Sequence, residues 1–329
     1  MPAEIEKNQI ALLSQKSGWL KKQSNGIIKN WSYRYFALDG YKLYYFKLPS
    51  DKIPKGVINF NQISIDMIAK PRDSPKQITL KPVNSTESIL LKSSLRSELS
   101  EWASILYHTI LTSRGKQKKL AGLGKKGKFW KHERISNSEF IDQADTGDIL
   151  LFRSQDISST ITRGLIGSKY DHVAFIIKYV SGKIGILEAT TADGVGIVLW
   201  SHYLAHDWHT LSERIMYRQL QVERTDEMMM KLEEFVKKVE GKKFKISPVK
   251  LLQRSSREMP GEEDSFFCSE LVASAYKAMG LINQDIPASA YWPGDFSCDK
   301  NLDLIGAMLS REILIDFDLE PNTNSFLSS

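Results

Sequence analysis

A cysteine stands at the head of the run CSELVASAYKAMG, and a histidine stands at the head of HVAFIIKY nearly a hundred residues earlier. After Cys268, the residues Leu271, Val272, Ala275 and Met279 recur on one side of a helix that Gly280 stops, so the thiol is expected at the helix start. A thiol there feels the positive end of the helix dipole. With an imidazolium beside it, its pKa can fall from about 8.5 to about 3.5–7.5. The resulting thiolate is a nucleophile at neutral pH, and His172 is the side chain to take and return its proton. On the His172 strand, His172, Ala174 and Ile176 share one face; on KIGILEAT, Ile184, Ile186 and Glu188 share one face. Pairing of those strands brings Glu188 to the imidazole, where a carboxylate fixes the tautomer as the third member of a nucleophile–base–orienter set. Taken singly, a cysteine is more often a small buried hydrophobe and a histidine more often structural. Cys298 lies in the loop DFSCDKN with no helix start behind it.

Other groupings carry less. His202, His206 and His209 in HYLAHDWH would lie on one helical face, but no carboxylate or thiol completes a metal site. Surface histidines among aromatics are the preferred reading, and no metal is expected. The spacing of Gly122, Gly124 and Gly127 matches a dinucleotide fingerprint only by accident, because no strand precedes it.

These residues sit in a chain of 329, long enough for about two domains, with an ordinary globular composition of 42% hydrophobic and 26% charged residues. No apolar run reaches the roughly 18 residues of a membrane span, and the start MPAEIEKNQIALLSQKSG lacks the features of a signal peptide. A cytoplasmic location with both thiols free is the expectation. Charge is uneven. Residues 114–134 hold nine Lys or Arg against one Glu, which exceeds the +6 of the whole chain. That segment reads as a solvated linker that an anionic membrane could attract, at about 1 kcal/mol per basic residue near the surface. No nucleic-acid motif accompanies it, and no nucleic-acid partner is expected.

Before the linker, SGWLKKQ, NWSYRYFALDG, YKLYYFKL, GVINF, SIDMIAK, KQITLKP and SILLKS alternate with period two between turn residues, as a small antiparallel barrel does. Next comes a helical stripe of Leu95, Leu99, Trp102, Ile105, Leu106 and Ile110, able to close one side of the sheet. With Gly18-Trp19-Leu20, Trp31, Arg34-Tyr35-Phe36, Leu43-Tyr44-Tyr45-Phe46 and Trp102, this pattern resembles a pleckstrin homology (PH) domain over residues 14–115. The resemblance implies a phosphoinositide headgroup site between the first two strands. Lys22 and Arg34 stand in matching places, Ser32 replaces a basic residue, and Lys21 and Lys29 are possible substitutes. Phosphoinositide binding and protein docking both remain open.

After a linker expected over 116–138, the segments GDILLFRS, SKYDHVAFII, ILEAT, FFCSELVASAYKAMGL and YWPGDF occur in an order that resembles circularly permuted papain-like hydrolases. These are the YiiX-like relatives of NlpC peptidases and lecithin retinol acyltransferase. The resemblance implies an α+β domain over 139–315, a tail over 316–329, and a Cys–His–Glu site at Cys268, His172 and Glu188 that needs no cofactor. By analogy the backbone N–H of Cys268 is the oxyanion donor, with Tyr170 and Ser269 lining the site. Asp171 and Ala174 depart from the common pattern, and an extra carboxylate at 171 could raise the histidine's pKa. The chain thus reads as a multidomain thiol hydrolase or acyltransferase acting on an amide, thioester or lipid ester of a lipid or membrane-tethered protein at an anionic or phosphoinositide-containing membrane. The competing reading is a non-catalytic adaptor using the same two domains. The oligomeric state is not readable.

Overall fold

The computed structural model describes residues 14–24, 29–69, 75–83, 85–117, 129–155, 168–190, 194–244, 265–300 and 302–319. They divide into two compact units, one running to Ser136 and resuming at Asp316, the other spanning Asn137–Ile315.

In the first unit the seven expected strands form one antiparallel sheet: β1 (Lys16–Gln23), β2 (Trp31–Asp39), β3 (Lys42–Phe46), β4 (Gly56–Asn59), β5 (Ile65–Ala69), β6 (Ile78–Pro82) and β7 (Ile89–Lys92). Their order is β4-β3-β2-β1-β7-β6-β5. Alternation sends Leu20, Phe36, Leu38, Leu43, Ile58, Leu80 and Leu91 into one core. Helix α1 (Arg96–Thr112) covers it with Leu99, Trp102, Leu106 and Ile110 buried. Leu95 is the exception on the expected stripe, 64% exposed because it is the cap residue rather than part of the helix.

The edges of this unit differ from the expected boundaries. Phe129 and Trp130, inside the expected linker, are buried in the sheet's core, and Trp130 accepts a 2.7 Å bond from the N–H of Val57. The expected tail begins with Asp316, whose carboxylate takes a 2.5 Å ion pair from buried Arg134, and Leu319 joins the same core. Aromatic burial and a buried ion pair therefore tie 129–136 and 316–319 to the sheet. Most of the basic run, 118–128, and the last residues, 320–329, lie outside the described residues.

The second unit holds β8 (Ile149–Ser154), β9 (His172–Lys178), β10 (Ile184–Thr190), β11 (Gly194–Leu199), β12 (Ser212–Arg218) and β13 (Ile313–Ile315) in the order β11-β10-β9-β8-β12-β13. Helix α2 (Asn137–Gln143) precedes the sheet, α3 (Trp200–Ala205) follows β11, and α4 (Asp226–Val239) and α5 (Cys268–Ala278) come later. Thr225 caps α4 by accepting from the N–H of Met228 at 3.3 Å. Helix α5 buries Leu271, Val272, Ala275 and Tyr276 in a core shared with Val173 and Phe175 of β9. Asp148 anchors the start of β8: its buried carboxylate accepts from Tyr217 Oη at 2.6 Å, from the N–H of Leu220 at 2.7 Å and from Arg224 at 3.3 Å. The helix-like connection expected over SSTITRGLIGS falls mostly on 156–167, outside the described residues.

Removing one partner of a buried ion pair strands the other's charge, at a cost of about 3–5 kcal/mol. Asp316→Ala is therefore expected to destabilise the first unit by about that much in denaturant unfolding. Unchanged stability would mean that residues 316–319 contribute nothing to this unit.

Candidate active site and headgroup pocket

Cys268 is the first residue of α5, and Glu270 reaches back from the first turn to the N–H of Phe267 at 3.4 Å. The amide of a helix's first residue has no acceptor within the helix, which leaves the N–H of Cys268 available to a ligand oxygen. The thiol is buried to 8% exposure. It lies against the first peptide of β9, accepting from the N–H of Val173 as well as from that of Ser269, and it is hydrogen-bonded to His172. The imidazole of His172 is half-buried, with Nε2 2.8 Å from Oε2 of Glu188. With Nε2 committed to the carboxylate, Nδ1 is the ring nitrogen left for the thiol.

Strand register explains the second contact. Ile176 pairs with Ile186 and Phe175 with Leu187, so continuing the ladder sets Ala174 opposite Glu188. Glu188 and His172 are then diagonal neighbours on one face, within reach of long side chains. The small Ala174 between them leaves room for the imidazole.

The charges reinforce each other. Burial alone pushes the Cys268 thiol up, but the His172 charge, its hydrogen bond and the two backbone N–H donors outweigh this and hold the thiol below its ordinary value. Burial likewise opposes a charged His172, and the thiolate and Glu188 outweigh it, raising the imidazole well above its usual range. Both directions favour the thiolate–imidazolium form of the pair over the neutral one.

Other sequence-predicted residues support rather than face this pair. The Tyr170 hydroxyl donates to Glu312 at 2.6 Å within the core, and the Ser269 hydroxyl donates to the carbonyl of Tyr291 at 2.8 Å. Ser168 grips the same turn through both the N–H and the carbonyl of Tyr170. Gly294 is needed beside it, since a Cβ there would lie 2.6 Å from Ser168 Oγ. Asp171 turns away from the imidazole, accepting from the N–H and hydroxyl of Ser154. The Phe152 ring lies 5.3 Å from that of His172, with Tyr203 behind it stacked on Trp200. His202, His206 and His209 do not share one helix: α3 ends at Ala205, His206 is its cap, and Asp207 at φ 54° turns the chain before His209. Among the described residues, no group of three or more His, Cys, Asp or Glu side chains could hold a metal ion.

The first unit has its own polar pocket of about 250 Å³, lined by Lys22, Ser32, Arg34, Tyr45, Lys47 and Lys55 among others. Of the four basic residues expected there, Lys22 and Arg34 line it. Lys21 and Lys29 do not, because alternation turns Lys21 to the opposite face of β1 and Lys29 lies exposed before β2. Lys47 and Lys55 take their places. Both follow or precede strands whose spacing gave no pocket signal, and only the fold brings them to Lys22. The Lys22 ammonium sits over the rings of Tyr45 and Trp130 at 5.4 and 5.0 Å. Burial first, then repulsion from Arg34, lowers its pKa to about 8.

Comparison with known families assigns both units. Residues 14–110 match the PH domain model, and residues 143–287 match the model described as permuted papain-like amidase enzyme, YaeF/YiiX, C92 family. The chain is a PH domain joined to a permuted papain-like domain. The PH domain is 32% identical over 99 residues to Rho GTPase-activating protein 25 of Homo sapiens, covering 28% of this chain and 15% of that protein. It is 40% identical over 57 residues to human Cytohesin-3, covering 17% of this chain and 14% of that protein. The chain thus spans about one-seventh of the length of these curated relatives. The solved pleckstrin homology domain of human KIAA0053 protein aligns with 32% identity and a TM-score of 0.27, covering 30% of this chain and 91% of that one. The amidase match supports a hydrolase and the PH match supports lipid binding, each in general terms. Among the described residues, no helix is long and apolar enough to cross a membrane.

The two thiols of the chain stand in opposite settings. Cys298 is buried, and its pKa is raised by burial and by Glu312, which together outweigh nearby Arg218. Iodoacetamide is therefore expected to alkylate Cys268 first, with a rate midpoint below the ordinary thiol value of about 8.5. His172→Ala removes the charge but not the burial, so the midpoint should move upwards. Faster labelling of Cys298, or an unmoved midpoint, would remove the activated thiol.

Proposed function

We propose that the papain-like domain is a thiol hydrolase or acyltransferase that attacks an amide, thioester or ester carbonyl, and that the PH domain brings it to an anionic or phosphoinositide-containing membrane carrying its lipid or membrane-tethered substrate. One observation carries the reading: a buried thiol at a helix start hydrogen-bonded to an imidazole that is itself held 2.8 Å from a carboxylate.

In this reading the Cys268 thiolate adds to the carbonyl carbon, and the oxygen takes up negative charge beside the N–H of Cys268. His172 gives its proton to the leaving amine, thiol or alcohol as the C–N, C–S or C–O bond breaks, leaving a thioester on Cys268. Water or an acceptor nucleophile then loses a proton to His172 and attacks that thioester, which restores the thiolate and the imidazolium. Glu188 holds the ring throughout. The Phe152 ring, backed by Tyr203, borders the imidazole on one side, where it limits water's access to the charged pair.

The PH pocket suits a phosphorylated headgroup because four cations, Lys22, Arg34, Lys47 and Lys55, converge on it. The basic linker of the sequence adds an attraction that salt screens over about 8 Å at physiological strength.

Covalent capture from a membrane extract by a Cys268 probe would supply a substrate for kinetic tests. On that substrate, Cys268→Ala should abolish turnover, His172→Ala should lower kcat by about 10²–10⁴-fold, and Glu188→Gln should cost less than His172→Ala. Equal activity of all three variants and the parent would leave these residues structural and favour an adaptor.

For the membrane, phosphoinositide vesicles should sediment with the full chain at low salt. Arg34→Ala and Lys55→Ala should each weaken that binding, and binding should decline as pH rises through about 8, where Lys22 loses its proton. No binding by the parent at low salt would turn the PH domain's role towards a protein partner.

A further inference from the structure

The headgroup pocket uses Lys22 as a cation, but the same side chain is a nitrogen nucleophile whenever it loses a proton. Its Nζ donates to the carbonyl of Gln23 at 3.3 Å and lies over the rings of Tyr45 and Trp130 at 5.4 and 5.0 Å. Arg34 of β2, Lys47 after β3 and Lys55 before β4 line the same cavity of about 250 Å³, and among the described residues that line it none is a carboxylate. Four like charges around one cavity repel, and the repulsion falls when an anion enters or when one cation gives up its proton. Arginine does not give one up. Tyr45 adds no charge, because burial pushes its pKa up to about 12. The rings under Lys22 and Glu87, on the segment before β7, favour the ammonium; burial first and then Arg34 oppose it, and its pKa falls to about 8. At a pH of about 7.4 such a group is a free amine roughly a fifth of the time, about 200-fold more than an ordinary lysine.

We propose that Lys22 is a modification site for carbon dioxide, which adds to its amine to form a carbamate anion held by Arg34, Lys47 and Lys55. In the step the ammonium first loses a proton to solvent. The nitrogen lone pair then forms a C–N bond to the carbon of carbon dioxide, one C–O π pair moves onto oxygen, and a second N–H proton leaves to solvent. The sum is ammonium plus carbon dioxide giving carbamate plus two protons, so atoms and charge balance without any other reactant. The pocket supplies both requirements: an amine available without its proton, and cations placed to hold the anion it becomes. Lys21, its neighbour in sequence, has neither, since it faces the other side of the sheet over Tyr33. The modification turns one positive charge of the pocket into a negative one and places that anion where a headgroup phosphate would sit. This consequence rests on the headgroup reading above: carbon dioxide and a phosphorylated headgroup exclude each other at Lys22. At fixed dissolved carbon dioxide the carbamate grows as pH rises towards and past about 8, because both protons must leave.

The test incubates the full chain with isotopically labelled bicarbonate and carbon dioxide, traps carbamates as ethyl esters with triethyloxonium, and maps them by mass spectrometry. The parent should carry the labelled adduct on Lys22 and severalfold less on Lys21, which serves as a control within the same peptide. Arg34→Ala should lower the Lys22 adduct severalfold, since it both restores the ammonium and removes a partner of the anion. No adduct on Lys22, equal labelling of Lys21, or an adduct that Arg34→Ala leaves unchanged would overturn the site. A second measurement follows sedimentation with phosphoinositide vesicles at constant pH and salt: carbon dioxide should weaken the parent's binding and leave that of Lys22→Arg unmoved, because a guanidinium offers no free amine. An adduct in a parent that binds no vesicles keeps the carbamate and overturns the headgroup reading. An adduct in a parent whose vesicle binding ignores carbon dioxide overturns the mutual exclusion.

Discussion

The papain-like domain depends on keeping one charge separation out of water: a thiolate and an imidazolium, each of which burial alone would neutralise. Burial opposes the charge on both groups, and each favours the charge on the other, with Glu188 adding its support on the imidazole side. Such a pair tolerates little looseness, since separating the two groups leaves the buried thiolate without its cation. Much of the surrounding architecture can be understood as holding that distance. Helix α5 is fixed by Leu271, Val272 and Tyr276 against Val173 and Phe175, and the Tyr276 hydroxyl donates to the carbonyl of Gly147 at 2.8 Å, joining the helix to the start of β8. The His172 side is fixed separately, through the Ser168–Tyr170 turn, the Tyr170–Glu312 bond and the Asp171–Ser154 contacts.

Glu312 is instructive because it comes from a part of the chain far from the nucleophile and base. One of its oxygens takes the Tyr170 hydroxyl and the other accepts from the N–H of Cys298 at 2.9 Å, while its own N–H points to the Cys298 sulfur at 3.2 Å. The second cysteine of the chain is thereby part of a clamp behind the histidine turn. Its raised pKa follows from the same carboxylate and from burial. One fold thus places two thiols under opposite electrostatic conditions: one beside a cation at a helix start, one beside an anion in a closed loop.

Period and spacing revealed most of the elements because their causes are local. The seven short strands of the PH domain, its helix, the histidine strand and the cysteine helix all follow from alternation, 3.6-residue recurrence and glycine stops. The contact between His172 and Glu188 was readable too, since residues on one face of paired strands meet. What was not readable depended on distant partners. The strands Ser212–Arg218 and Ile313–Ile315 carry charged residues, Glu213, Arg214 and Glu312, within or beside them, which masks their alternation. Phe129 and Trp130 lie among lysines and glycines, and nothing local shows that a sheet formed by residues far upstream will bury them. The same holds for Asp316, whose partner Arg134 is 182 residues away.

The headgroup pocket shows the same limit at the scale of one residue. Lys21 and Lys22 are adjacent, identical in type and equally basic as sequence, and a count of charges cannot separate them. The sheet separates them completely, because neighbouring residues on a strand face opposite sides. Lys22 turns inward, where Tyr45 and Trp130 lie under its ammonium, and burial first and then Arg34 lower its pKa to about 8. Lys21 turns outward to stand over Tyr33 and opposite Lys92. The inner lysine lines a built pocket with Arg34, Lys47 and Lys55; the outer one belongs to an open row with Tyr33 and Lys92. Two adjacent lysines therefore stand in two different settings, and which one has which is fixed by the alternation of β1 in its sheet and not by the composition of the strand.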